Sequence, residues 1–452
     1  MKTLIQNGTV VTDTDVGKRN LLLEDDRIAY VGEDAPEADR VIDAAGKLVF
    51  PGFIDTHTHL ELSKGLFGPD TVAAALGGTT SLLEFAVQRR NDTMVHGYEE
   101  WMRMAENSTV NYGFHMSLSN WNDALHRELP EMDRRGISSY KMYMVYDGLK
   151  VDDGEIYGAL KGIKEHGGIL GCHCENWEVL NRMCEEVYGA GLTGPEGHPK
   201  SRPDLIEAEA VARFLRLGQM AEAPVYIVHL STKEGLEEIR RARRRGQEVY
   251  AETCPQYLLL TDEVYSREDG SKFVMSPPIR KAEDAAALWE ALANGEIDTV
   301  GTDHCSFFMS VKQEFVHDFR KIPNGAAGLE HRVPLLYTYG VCEGRIDLNR
   351  MVRLLSSNAA RIFGIRDRGA LEEGKIADVV IWDPDYRQRI TDTNHHHNCD
   401  NSIYAGMEIR GRAETVFING VLTVEAGEVL DSGHGRYLSR VPGERYRKGT
   451  AY

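Results

Sequence analysis

The chain has 452 residues, and its 70 Asp and Glu against 52 Lys and Arg leave a formal charge of −18. That balance argues against a nucleic-acid partner or an anionic membrane surface, both of which call for a basic footprint. Hydrophobic residues at 42% and charged residues at 27% give an ordinary globular composition, which argues against wholesale disorder and leaves material for one large core. No run approaches the ~20 apolar residues of a membrane span. The first residues, Met1 to Gly8, lack the apolar core of a signal peptide, so a cytoplasmic protein is expected. The seven Cys (172, 174, 184, 254, 305, 342 and 399) are odd in number and scattered, which reads as reduced thiols and not as a disulfide framework.

Taken in chain order, residues 4–11, 21–23, 27–31 and 47–50 are β-prone runs separated by Gly, Asp or Asn turns. Residues 375–382 and 414–421 have the same character at the far end. The two termini are therefore expected to pair into a small β-sandwich domain, residues 1–50 plus 363–452, with residues 51–362 inserted between them. The insert alternates short apolar strands (53–57, 81–85, 112–116, 139–144, 170–173, 225–229, 249–253 and 299–302) with amphipathic helices such as 204–220 and 233–245. Eight strand–helix units predict an α/β fold, a TIM-like (β/α)₈ barrel, whose active site belongs at the C-terminal ends of the strands.

The metal-competent residues lie at those ends. His57 and His59 close the first strand, and alternate strand positions share a face, so both imidazoles can reach one ion. Lys141 ends the fourth strand, His173 the fifth, His229 the sixth and Asp303 the eighth. Singly, each has an ordinary explanation: a satisfied core histidine, or an aspartate capping a helix. Lys141 is the odd member, because an ammonium there would repel a cation. Burial can free the amine, and a free amine can add carbon dioxide to become a carboxylate that bridges two metals. Together the six side chains read as a metal centre.

Longer stretches point the same way: Pro51-Gly52-Phe53-Ile54-Asp55-Thr56-His57-Thr58-His59, Gly77-Gly78-Thr79-Thr80, Tyr140-Lys141-Met142-Tyr143-Met144-Val145-Tyr146, His173-Cys174-Glu175-Asn176, Val228-His229-Leu230-Ser231, Glu252-Thr253-Cys254-Pro255-Gln256-Tyr257-Leu258, Met275-Ser276-Pro277-Pro278-Ile279-Arg280, Thr302-Asp303-His304-Cys305 and Ile322-Pro323-Asn324-Gly325. In this order they resemble the cyclic amidohydrolases and, within them, the hydantoinase and dihydropyrimidinase group, phenylhydantoinases included. The resemblance covers nearly the whole chain. It implies a hydrolase that opens a small cyclic ureide, a hydantoin or dihydropyrimidine, to its N-carbamoyl amino acid. It also implies two zinc ions, one on His57, His59 and Asp303 and the other on His173 and His229, bridged by carboxylated Lys141 (N6-carboxylysine). A hydroxide shared by the two ions is then the nucleophile, Tyr146 donates to the oxyanion, and Asp303 shuttles the proton. The backbone groups of Ser276 and Asn324, with Tyr146, are the implied substrate contacts, and the family's usual assembly implies a homotetramer.

Two positions narrow the resemblance. Glu61 stands where dihydroorotase-like relatives place an Arg for a substrate carboxylate, and Tyr146 is absent from allantoinase-like relatives. Allantoinase or another ureide hydrolase on the same scaffold is the alternative. A non-catalytic interaction protein of the response-mediator type is the alternative from another class, and retention of all six ligands speaks against it. The segment from His59 to Gly77 is several residues shorter than in many relatives, so the lid over the exocyclic substituent is the least secure inheritance. Leu66, Phe67, Trp121 and Tyr146 are candidates for an apolar substituent pocket. Cys172 and Cys174 should point away from the His173 face and pack, His395-His396-His397 lies late in the chain and away from the barrel site, and the basic run at 240–245 should be a solvated helix end.

Overall fold

A computed structural model describes residues 1–62 and 67–441. Its central sheet has eight strands, Phe53–Thr58, Thr79–Gln88, Asn111–Leu118, Ser139–Tyr143, Ile169–His173, Val225–Ile227, Val249–Thr253 and Thr299–Val300, each parallel to the next. A parallel bridge between Thr58 and His304 joins the two ends of the sheet, which makes it a barrel. Nearly every strand residue is buried. Helices cover the outer face and side chains fill the inner one, so these strands read in the sequence as apolar runs without alternation.

The sixth and eighth strands stop earlier than the sequence predicts. Ile227 and Val300 are their last residues, which leaves His229 and Asp303 on the turns beyond, both with left-handed backbones (φ 36° and 53°). The predicted helices are found at Asp204–Ala221 and Lys233–Arg244. The Thr232 hydroxyl caps the second by accepting from Gly235 N–H at 3.0 Å. The basic run at its end is not simply solvated: Arg240 pairs with Glu296 at 2.7 Å and Arg243 with Asp298 at 2.9 Å, both half-buried. Side-chain length explains the difference, since arginine stems on the last turn reach back across the neighbouring helix–strand loop.

The termini form two mixed sheets. The seven-stranded sheet interleaves Thr9–Val11, Val16–Lys18 and Leu48–Pro51 with Val379–Arg389, Glu408–Ile418, Val421–Glu425 and Glu428–Val429. Its joint is the antiparallel pairing of Leu48–Pro51 on Val379–Arg389, where Phe50 faces Val380. The four-stranded sheet is built from Lys2–Gln6, Asn20–Glu24, Arg27–Gly32 and Arg40–Asp43. Ile5, Leu21, Val49, Val379 and Phe417 belong to the core cluster that joins the sheets. After the last strand the chain returns to the barrel, where buried Arg440 donates to Ser139 Oγ at 2.6 Å and to the Phe114 carbonyl. Among the described residues, no helix is long and apolar enough to cross a membrane.

Candidate metal centre

All six sequence-predicted ligands meet at the mouth of the barrel. His57 Nε2 lies 3.1 Å and His59 Nε2 3.5 Å from Asp303 Oδ1, and the three donor atoms fall within 4.8 Å of one another. His173 and His229 form a second pair, Nδ1 to Nε2, 3.0 Å apart. The two groups adjoin, with the His57 and His229 ring centroids 5.2 Å apart. Lys141 projects from the fourth strand with Nζ 4.8 Å from the centroid of the Phe85 ring and 4.9 Å from that of Tyr143.

Carboxylates behind the rings fix their orientation. Glu252 Oε1 lies 2.6 Å from His57 Nδ1 and accepts from His229 N–H at 3.2 Å. Its other oxygen accepts from the Thr56 hydroxyl and from Tyr226 OH. Glu175 Oε2 lies 2.7 Å from His173 Nε2 and accepts from Arg202 at 2.8 Å. A ring nitrogen that donates to a carboxylate leaves the other as a lone-pair donor, so His57 presents Nε2 and His173 presents Nδ1. Burial alone would push the Glu175 carboxyl up, but Arg202, then His173, hold it well below its usual range. Gly301 makes room for this layer, since a Cβ there would fall 2.9 Å from both Glu252 Oε2 and His57 Cβ. Sequence reasoning quoted Glu175 and Glu252 inside longer motifs but gave them no role. For Glu252 the available signal was a charged residue on a strand otherwise buried on both faces; Glu175 lies two residues past the end of its strand.

The residues present fit a bound cation. At the centre, buried Lys141 Nζ has no hydrogen-bond partner, and a polar atom orphaned at such depth is costly without a ligand. Burial lowers the Lys141 ammonium to about 8, so part of it is free amine near neutral pH. The donor set of imidazole nitrogens and a carboxylate oxygen suits a divalent transition metal.

A cavity of about 370 Å³ opens over the centre, lined by His59, Lys141, His173, His229 and Asp303 below and by Glu61, Leu62, Val87, Tyr143, Tyr146, Leu149, Ser276, Cys305, Asn324 and Gly325 around. Tyr146, Ser276 and Asn324 thus all line this cavity. Tyr146 stacks edge-on to His173 with centroids 5.2 Å apart, and its backbone is left-handed (φ 75°). Burial raises its phenol, which keeps the hydroxyl a donor. The substituent-pocket candidates fare differently. Leu66 lies outside the described residues. Phe67 is wholly buried against Tyr112, centroids 6.0 Å apart. Trp121 packs on the glycines of the helix Asp153–Glu165, because Gly158 and Gly162 leave a groove one indole wide. Leu62, Val87 and Leu149 supply the apolar wall instead.

Cys172 and Cys174 sit in the main hydrophobic core. His397 comes nearer than its position in the chain suggests: its ring packs 5.4 Å from that of His304, next to Asp303, although it does not line the cavity.

A family model described as "Amidohydrolase family" matches residues 48–423. A D-hydantoinase of Ralstonia pickettii is 39% identical over 453 residues, 97% of this chain and 99% of that protein. A D-phenylhydantoinase of Escherichia coli O1:K1 is 40% identical over 462 residues, 98% of this chain and 99% of that one. Among solved structures, the dihydropyrimidinase from Brevibacillus agri NCHU1002 superposes with a TM-score of 0.96 at 36% identity, covering 99% of this chain and all of that one.

Proposed function

The chain belongs to the amidohydrolase family, and from that membership we propose that it opens cyclic ureides, hydantoins or dihydropyrimidines, to N-carbamoyl amino acids. The observation that carries the proposal is the arrangement of imidazoles at the cavity floor, each of His57 and His173 fixed by a buried carboxylate so that its free nitrogen faces a second ligand. Two zinc ions, held by His57, His59 and Asp303 on one side and by His173 and His229 on the other with carboxylated Lys141 between, would supply an activated water at neutral pH and a Lewis acid for the ring carbonyl.

The residues of the chain divide the remaining work. The backbone groups of Ser276 and Asn324 grip the amide edge of the ring and orient its carbonyl over the floor. Tyr146 OH donates to the carbonyl oxygen as negative charge grows there. Asp303 takes the proton of the attacking water and returns it to the departing ring nitrogen. Its carboxylate is available for this because His57, then His59, hold it below its usual range against a burial effect that would raise it. Glu61 on the cavity wall disfavours an anionic substituent, which separates this site from one that selects a carboxylate.

Turnover of dihydrouracil, hydantoin, both enantiomers of phenylhydantoin and allantoin by zinc-loaded protein tests the reading. Opening of a hydantoin or dihydropyrimidine ring in preference to allantoin is expected. Two bound metals with no ring opened in any of the five would sink it.

A further inference from the structure

Lys312 lies on the short helix Met309–Gln313 and is 1% exposed. Its ammonium donates to three backbone carbonyls, Gly325 O at 2.6 Å, Val274 O at 2.9 Å and Lys272 O at 3.2 Å. An ammonium has three donors and no acceptor, so these bonds use its full capacity. Burying an amine on neutral acceptors alone, where desolvation pushes its ammonium down to about 7, is an expensive way to fill space, and an apolar side chain would pack there at lower cost. What the amine does is tie together two loops, one at Lys272 and Val274 and the other at Gly325.

Those loops carry Ser276 and Asn324. Val274 O also accepts the N–H of Gly325 at 3.1 Å. In a trans peptide the carbonyl points opposite to the N–H of the next residue, so aiming Gly325 N–H at Val274 turns the Asn324 carbonyl away from it. Gly325 is thereby held at both ends, by Val274 on its N–H and by Lys312 on its C=O. Its φ of 144° and the 2.6 Å at which a Cβ would meet Cys305 O leave only glycine for this position. Across the gap, the Ser276 hydroxyl donates to Asn324 Oδ1 at 3.2 Å, and Ser276, Asn324 and Gly325 all line the cavity.

We infer that Lys312 is a positioning residue for the substrate: it sets the spacing and the peptide-plane orientation of the two backbone segments that grip the ring's amide edge. The inference rests on the cyclic-ureide reading above. Hydrogen bonds that already hold the ring in the ground-state complex stabilise the ground and transition states alike, so their loss appears in KM more than in kcat.

The test compares wild-type, Lys312→Met and Lys312→Gln holoenzymes on whichever ring the wild type opens, with metal content and thermal unfolding measured alongside. Lys312→Met, with two metals retained, is expected to raise KM at least about tenfold while kcat stays within about threefold. Lys312→Gln, whose amide keeps two N–H donors, should recover part of the loss. A metal-replete Lys312→Met protein with unchanged KM overturns the inference, as does a fall in kcat and metal content with KM intact. Should Lys312→Met not accumulate as folded protein, Lys312→Gln decides alone: a raised KM supports the role and an unchanged KM overturns it. A wild type that opens no cyclic ureide defeats the functional reading, and this inference with it.

Discussion

The two halves of the metal centre solve one problem with different chemistry. Each must hold an imidazole so that one nitrogen is free for a cation, and each does so with a buried glutamate. Behind His57, Glu252 is surrounded by neutral donors: the Thr56 and Tyr226 hydroxyls and the His229 amide. Behind His173, Glu175 is held by the guanidinium of Arg202, and its Oε1 has no partner. A carboxylate satisfied by several weak donors tolerates the loss of one of them. A carboxylate in a buried ion pair does not, since removing its partner leaves a naked charge.

Lys141 is the proposed bridge between the halves, so changing it should have the largest effect. Lys141→Ala, or exhaustive chelation of the wild type, is expected to lower turnover more than about 10³-fold, since the proposed bridge or the ions it joins, and with them the activated water, would be lost. Metal analysis should show fewer than two ions per chain in the variant. Two ions with full activity would refute the bridge and leave the halves independent.

Tyr146→Phe comes next. The ring that stacks on His173 is kept and only the hydroxyl is lost, so metal content should stay at the wild-type value while kcat falls about 10²- to 10³-fold, the usual loss for one oxyanion donor. A variant with unchanged kcat would move that role to another residue.

The contrast between the halves is tested directly by Glu252→Gln and Arg202→Met. Both are expected to weaken metal binding about 10- to 100-fold, the range for partners that orient ligands. They should separate in stability. Arg202→Met takes the guanidinium from buried Glu175 and leaves it only the His173 ring N–H, which costs about 3–5 kcal/mol, whereas Glu252→Gln keeps a polar group of the same shape among its donors. Metal titration with thermal unfolding of the apoproteins measures both. Equal destabilisation of the two would mean that the neutral network is as indispensable as the ion pair.

What the sequence made legible follows from the same physics. The eight strands and two named helices were readable because their apolar runs and 3.6-residue periods are local, and the six ligands because strand ends of a barrel converge on one face whatever the loops do. Glu252 was invisible as a partner of His57, since that pairing joins different strands, and Glu175, only two residues from His173, because the pairing depends on a ring orientation that no local pattern carries. Lys312 was missed for a similar reason: three carbonyl acceptors leave no mark on side-chain identity. The left-handed turns at His229 and Asp303 also escaped, because Asp and His, though enriched in that region, adopt it too seldom for one position to be singled out.

Trp121 gives the smallest effect and the sharpest boundary to the substrate pocket. Lying outside the cavity and pressed on Gly158 and Gly162, it belongs to the barrel's outer packing. Trp121→Phe should therefore leave kcat/KM for a phenyl-substituted hydantoin within about twofold while lowering stability by about 1 kcal/mol through lost contact area. Leu149→Ala, on the cavity wall, should do the reverse, raising KM for the phenyl-substituted ring more than for unsubstituted hydantoin. The removed methyls contribute about 0.8 kcal/mol each when buried against a ligand, so a selective rise of a few-fold to about tenfold is expected. A Trp121 variant that shifts substituent preference would put the pocket on the other side of the fourth strand and undo the assignment of Leu62, Val87 and Leu149 as its wall.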